Sequence, residues 1–197
     1  MSSYIPVHSS SEAVVKMPFR RMMQRLRIPV ALFLAVSLIV FAKPSLTTLS
    51  LGCSLAFLGM CIRAWAAGHI RKDQTLAVSG PYAYTRNPLY FGSFLLGTGF
   101  ACASGVWWVG VVFIVYYLFV YIPVMQAESV DLTRLFGSDF KTYVASVPMF
   151  FPSLSTSVRS ENHFDWKLYL RHREYQVIVG FVLAVSFLVA RILFVWN

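Results

Sequence analysis

The chain has 197 residues, of which 57% are hydrophobic and 13% charged, and it carries a formal net charge of +9. A soluble domain carries about 25% charged residues, so this composition excludes an ordinary soluble enzyme and points to a bilayer protein, with a length that suits one domain. The positive charge does not form a nucleic-acid surface, because Arg20, Arg21, Arg25 and Arg27, then Arg71 and Lys72, then Lys167, Arg171 and Arg173, all flank apolar runs.

Residues 1–27 are polar and then basic, a segment expected on the cytoplasmic side. Met17 to Arg27 has the pattern of a short amphipathic helix on anionic lipid, or equally of a charged flank that sets topology. Ile28 to Ala42 is the first apolar run. Val40-Phe41-Ala42 resembles a signal-peptidase site, but the chain runs straight into further apolar sequence, so an uncleaved anchor is expected. Lys43-Pro44 makes a tight turn, and Leu46 to Ala67 forms the second span, with Arg63 expected to reach out to the interface. After a polar interruption, Leu89 to Ala103 and Val106 to Met125 read as a helical hairpin hinged at Ser104-Gly105. Gly92, Gly97 and Gly99 are suited to close helix packing in lipid. Gly97-Thr98-Gly99 lacks the strand-turn-helix setting of a nucleotide loop. Cys53, Cys61 and Cys102 lie inside apolar runs with no metal-ligand spacing and read as small core-filling residues, so no metal site is expected. Gln126 to Asn162 is mixed, and Tyr175 to Trp196 is the final span, with Trp107, Trp108 and Trp196 suited to an interfacial belt.

The expected fold is therefore an all-α integral membrane protein of about five transmembrane helices, with residues 28–197 as a single domain. Of the 17 Lys and Arg residues, only Lys43 and Arg191 fall on the far side if the N-terminus is cytoplasmic. The positive-inside rule then puts the N-terminus, the polar interruption and the segment after Met125 on one cytoplasmic face.

The interruption from Gln74 to Tyr90 is the functional candidate. Gly80-Pro81 and Asn87-Pro88 are turn dipeptides whose prolines push the preceding residue out of helical geometry. Irregular backbone near membrane depth is tolerated where it is buried in protein or lines a cavity. Glu128 follows the fourth span, and a carboxylate at a membrane boundary is costly unless paired or hydrated. Placed near Tyr82, Arg86, Asn87 and Tyr90, it would suit a ligand with cationic and hydrogen-bonding ends, a description that S-adenosylmethionine fits.

The same residues carry a resemblance to the isoprenylcysteine carboxyl methyltransferase family and its relatives among the phospholipid methyltransferases. The first block, Leu-x-x-x-Gly-x-Tyr-x-x-x-Arg-His-Pro-x-Tyr-x-Gly, is matched by Leu76, Gly80, Tyr82, Arg86, Pro88, Tyr90 and Gly92, with Asn87 in the His position. The second is matched by Glu128, Ser129, Leu132, Phe136, Gly137, Phe140 and Tyr143, followed by Val147, Phe151 and Pro152. The resemblance covers a core of residues 63–152. It implies a membrane enzyme that takes S-adenosylmethionine from the cytosol and a lipophilic or small acceptor from the bilayer. Carried over by motif, the cofactor would be lined by Gln74, Thr75, Leu76, Ala77, Tyr82, Asn87, Pro88, Leu89 and Tyr90. Glu128 would meet its amino-acid end, and Glu128 and Tyr90 would assist catalysis.

Two departures shape the expectation. Asn87 hydrogen-bonds but carries no charge and is no base near neutral pH. Val124 stands where the carboxyl methyltransferases keep an arginine for the acceptor carboxylate, so an amine or thiol acceptor is as consistent as a carboxylate. Two other readings stay open at this stage: a membrane reductase using a nicotinamide cofactor, and a scaffold that has lost catalysis.

Overall fold

The computed structural model describes residues 29–30, 32–70, 75–154 and 163–195. The basic segment at 1–27, Gln74 and Trp196 lie outside the described residues. Those described are helical or irregular, with no strand among them. The helices are α1 (Leu32–Phe41), α2 (Leu46–Ala67), α3 (Pro88–Ala103), α4 (Trp107–Ser146), α5 (Trp166–Arg171) and α6 (Tyr175–Val195), with a 3-10 turn at Gly80–Ala83 between α2 and α3. Of these, α2, α4 and α6 are long and apolar enough to cross a membrane, while α1 and α3 are apolar but shorter.

Local sequence explains the boundaries. Ser45 opens α2 with a reciprocal cap: its hydroxyl accepts from the Thr48 amide at 3.1 Å, and the Thr48 hydroxyl accepts from the Ser45 amide at 2.9 Å. Pro88 sits at the first position of α3, where its missing N–H costs nothing. The hairpin of α3 and α4 turns at Ser104 and Gly105, the latter with φ +70°. A side chain on Gly105 would also run into the carbonyl group of Lys43.

The α2–α3 seam is built from absent side chains. A Cβ on Gly59 would lie 2.5 Å from the Gly92 carbonyl oxygen, and one on Gly99 would lie 2.5 Å from the Ala56 nitrogen. Lipid tails are as apolar as leucine, so close backbone packing of this kind replaces the hydrophobic drive in a bilayer. The glycine run expected to serve packing thus divides its work, since Gly92 and Gly99 face α2 while Gly97 meets the ring of Phe113 on α4. Of the cysteines, Cys53 packs beside the cluster of Ala42, Ala103 and Leu188, whereas Cys61 and Cys102 face outward rather than filling a core.

Two ends of the bundle are defined by contacts. At one end the Lys43 amide donates to the Ser104 carbonyl at 2.8 Å, and Arg191 of α6 donates to the Ala42 carbonyl at 2.9 Å, capping the carbonyl end of α1. Trp108 and Phe41 meet edge to face there. At the other end Phe164 covers Gly68, and the Asp165 amide donates to the Gly68 carbonyl at 2.9 Å. The interruption after α2 and the far half of α4 belong to this second end.

The fourth helix departs from the expected hairpin arm. It does not stop near Met125 but runs on to Phe136, and beyond a break at Gly137 a further helical stretch continues to Ser146. At 1.5 Å per residue the stretch from Trp107 to Phe136 is about 45 Å, longer than the apolar thickness of a bilayer. Pro123 lies within it, and Gly137 breaks its geometry with φ 54° and ψ −118°. Nothing lies within 4 Å of a Cβ placed on Gly137, so backbone conformation alone requires glycine there. Gly137→Ala is therefore expected to cost about 1 kcal/mol or more, because φ +54° with ψ −118° is a conformation that a residue with a Cβ rarely adopts. Thermal unfolding of the variant beside the parent checks it.

Candidate functional site

The irregular segment has its backbone bonds met by the chain that follows α4. The Arg86 amide donates to the Pro148 carbonyl at 2.9 Å, and the Ser153 amide donates to the Tyr84 carbonyl at 2.9 Å. Thr85 donates its hydroxyl to the Phe150 carbonyl at 2.9 Å. The Asn87 side-chain amide donates to the Met149 carbonyl at 2.9 Å, so this residue spends its N–H on fastening the two segments together. The Tyr143 hydroxyl donates to the Tyr82 carbonyl at 2.6 Å. These bonds satisfy backbone groups that a bilayer boundary would otherwise leave at a cost of several kcal/mol each.

Between the irregular segment and the far half of α4 lies a cavity of about 590 Å³. Its size is that of a small-molecule or cofactor site. Thr75, Leu76, Ala77, Tyr82, Asn87, Pro88, Leu89, Tyr90 and Glu128 all line it. Gln74, the remaining candidate, is outside the described residues. The wall also takes Arg63, Ser93, Asp131 and Leu135, none of them motif positions, and Tyr143 of the second block.

The Tyr90 hydroxyl donates to Glu128 Oε1 at 3.0 Å, joining the first turn of α3 to α4 across the cavity. Tyr90 is held from behind as well, because Tyr117 donates its hydroxyl to the Tyr90 carbonyl and the Tyr121 ring packs edge to face at 5.5 Å. Tyr82 is 6% exposed, and its hydroxyl has no hydrogen-bond partner among the described residues. Burial pushes that phenol far above its ordinary range, with the Tyr143, Glu128 and Glu174 side chains adding to the effect, so it stays protonated and able to donate. Arg86 is shifted the other way, downward, by burial. Its Nε also has no partner among the described residues. A buried donor left unmatched by protein groups at a cavity wall marks a place where a ligand acceptor fits.

Arg63 corrects the expectation made for it. Instead of reaching out to the interface it turns inward, donating Nη2 to Glu174 Oε1 at 2.7 Å and Nε to Glu174 Oε2 at 3.1 Å. Nη1 contacts Ser93 Oγ and, at 3.4 Å, the Leu89 carbonyl. A sequence signal for this existed: Gly52, Ala56, Gly59 and Arg63 recur at helical spacing, on the stripe that faces α3. Glu174 carried no such signal, being 111 residues away from its partner in the chain. Val124, in the position of the missing arginine, is 4% exposed and does not reach the cavity.

Fold and site together define an all-helical membrane protein with a polar cavity at one end of its bundle, walled by a turn-rich segment and a long, kinked helix. The chain belongs to the phospholipid methyltransferase family, which it matches over residues 30–139. It is similar to the cobalt-zinc-cadmium resistance protein CzcN of Cupriavidus metallidurans, with 36% identity over 118 residues, covering 58% of this chain and 53% of that protein. It is also similar to the nickel-cobalt-cadmium resistance protein NccN of Alcaligenes xylosoxydans xylosoxydans, with 32% identity over 121 residues, covering 60% of this chain and 54% of that one. The chain spans about half the length of these curated relatives. No solved structure matches it.

Proposed function

We propose that this protein is an integral membrane methyltransferase that binds S-adenosylmethionine in the 590 Å³ cavity and passes the methyl group to a lipophilic or small acceptor. The observation that carries the reading is the meeting of the two sequence blocks on one cavity, with Tyr90 bonded to Glu128 and Tyr82 on the same wall. Family membership favours methyl transfer over nicotinamide reduction.

In this reading Glu128 receives the ammonium of the cofactor's amino-acid end, and the Tyr82 hydroxyl donates to an acceptor atom of the ligand. Leu132, Leu135 and Phe136 give the wall an apolar side suited to an acceptor arriving from lipid. The transfer is an in-line displacement. A lone pair on the acceptor forms the bond to the methyl carbon as the carbon–sulfur bond breaks, and its electrons return to sulfur to leave S-adenosylhomocysteine. Positive charge disperses as this proceeds, so alignment and exclusion of water supply most of the rate. An acceptor amine or thiol must also shed a proton, and in this reading the hydrogen-bonded Tyr90–Glu128 pair assists its loss. With an apolar, buried Val124 where an arginine would hold a carboxylate, an amine or thiol is the better acceptor.

The cavity opens to the cytoplasm if the positive-inside count sets the orientation. The names of the two relatives speak of resistance to cobalt, zinc, cadmium and nickel, and they support a part for this chain's activity in metal tolerance. Titration calorimetry on the purified protein in detergent tests the core of the proposal. Saturable binding of S-adenosylmethionine is expected, with none of NADPH, and a folded protein that binds no S-adenosylmethionine would sink it.

A further inference from the structure

The contacts of Arg63 go beyond fastening one helix to another. We infer that Arg63 and Glu174 form a positioning clamp that sets the first turn of α3, and through it the Tyr90–Glu128 pair, so that the last helix tunes cofactor affinity. This rests on the cavity being the S-adenosylmethionine site.

Glu174 is not on the cavity wall, and it lies beyond the residues matched by the family, 30–139. It is nonetheless turned inward, its side chain 10% exposed and that of Arg63 21% exposed. The turn that delivers it is strained: Arg173, immediately before it, has φ 54°, the one non-glycine residue with positive φ among those described. Strain of this kind persists where the surroundings over-determine it, and it gathers at sites that need a side chain aimed. The resulting contact is a fork of two guanidinium N–H groups on two carboxylate oxygens, which fixes orientation as well as charge.

The third nitrogen faces the site. Nη1 contacts Ser93 Oγ and the Leu89 carbonyl, and Ser93 itself donates to the Leu89 carbonyl at 2.8 Å. Leu89, Tyr90 and Ser93 all stand on the cavity wall. The path of the Arg63 stem also explains a signature residue, because a Cβ on Gly92 would lie 2.7 Å from Arg63 Cγ. Gly92 leaves the room through which Arg63 reaches the turn carrying Tyr90. A charge pair built only to hold α6 against α2 would not direct a donor into α3, and at this depth apolar contacts would fasten the helices as well.

The test uses the full chain in detergent or nanodiscs, with Glu174→Gln as the principal variant and Glu174→Asp as a milder one should the first fail to fold. The expected result is an S-adenosylmethionine Kd raised about tenfold by Glu174→Gln, within the usual range for coupling between sites. In a Tyr90→Phe background the same change is expected to cost far less, because the clamp acts through that hydroxyl. Without any ligand, hydrogen exchange at the amides of Phe91 to Ser93 is expected to quicken in Glu174→Gln, while the middle of α2 keeps its protection. A variant that only melts at a lower temperature, with unchanged affinity and unchanged exchange in α3, overturns the clamp. Full additivity with Tyr90→Phe overturns it too. If the wild-type protein binds no S-adenosylmethionine, the proposed function falls, and the exchange measurement still decides whether Glu174 positions α3.

Discussion

Glu128→Ala is expected to weaken S-adenosylmethionine binding by about one to two orders of magnitude while the protein stays folded. The carboxylate lies on a cavity wall, and only one of its oxygens receives the Tyr90 hydroxyl. Its removal therefore leaves a neutral tyrosine O–H that can turn to water, not a stranded charge. A hydrogen bond to a charged group contributes about 1.5–3 kcal/mol, which converts to roughly that loss of affinity. Tyr90→Phe removes the orienting donor but keeps the charge, and a smaller loss of about fivefold is expected, because its effect on the ligand is indirect. Tyr82→Phe separates binding from folding. Its hydroxyl has no protein partner among the described residues, so no hydrogen bond within the chain is lost. Affinity is expected to fall while the unfolding temperature holds or rises. Calorimetric titration paired with thermal melts checks all three, and an unchanged Kd for both Glu128→Ala and Tyr82→Phe would remove these residues from the binding site.

The parts of this molecule that were legible in its sequence are those set by local chemistry. Apolar runs marked the long helices, and Gly80-Pro81 and Asn87-Pro88 marked the irregular segment, because proline acts on the backbone within a residue or two. Glu128 stood out because a carboxylate beside an apolar run is expensive. The run from Gln126 onward misled because its acids and serines break the membrane pattern without breaking the helix, which carries on into the cavity wall and is interrupted only at Gly137. Arg63 misled for a related reason. An arginine near the end of a span ordinarily finds water, and what turns it inward is a partner that folding brings back from position 174. The glycines were legible as small residues, but which helix each one faces follows from helical phase: Gly99 meets Ala56 while Gly97, two positions earlier, meets Phe113.

That phase leads to the largest expected effect on folding. Gly59→Leu and Gly99→Leu are each expected to prevent the protein from accumulating as a monodisperse species in detergent. The nearest neighbours of the added carbon are backbone atoms, Gly92 O at 2.5 Å for Gly59 and Ala56 N at 2.5 Å for Gly99, and backbone cannot swing aside as a side chain does. The two helices must then move apart. Ordinary overpacking costs about 1–3 kcal/mol where neighbours can adjust, so a bulky residue against unyielding backbone belongs at or above the top of that range. Gly180→Leu supplies the matched control, since nothing lies within 4 Å of a Cβ there and leucine on the exposed face of α6 meets only lipid. Gly110→Ala is a second control, its nearest neighbour being the Ala101 Cβ at 3.7 Å, an ordinary contact. Size-exclusion profiles and melting temperatures of the four variants read the difference, and a Gly59→Leu protein that behaves like Gly180→Leu would show that α2 and α3 do not meet at this seam. The smaller change Gly59→Ala is the more informative about function. Gly59 lies one turn before Arg63 and against Gly92, so even a slight separation there withdraws the guanidinium from Ser93 and Leu89. A folded Gly59→Ala protein should therefore bind S-adenosylmethionine more weakly although the substitution lies outside the cavity wall.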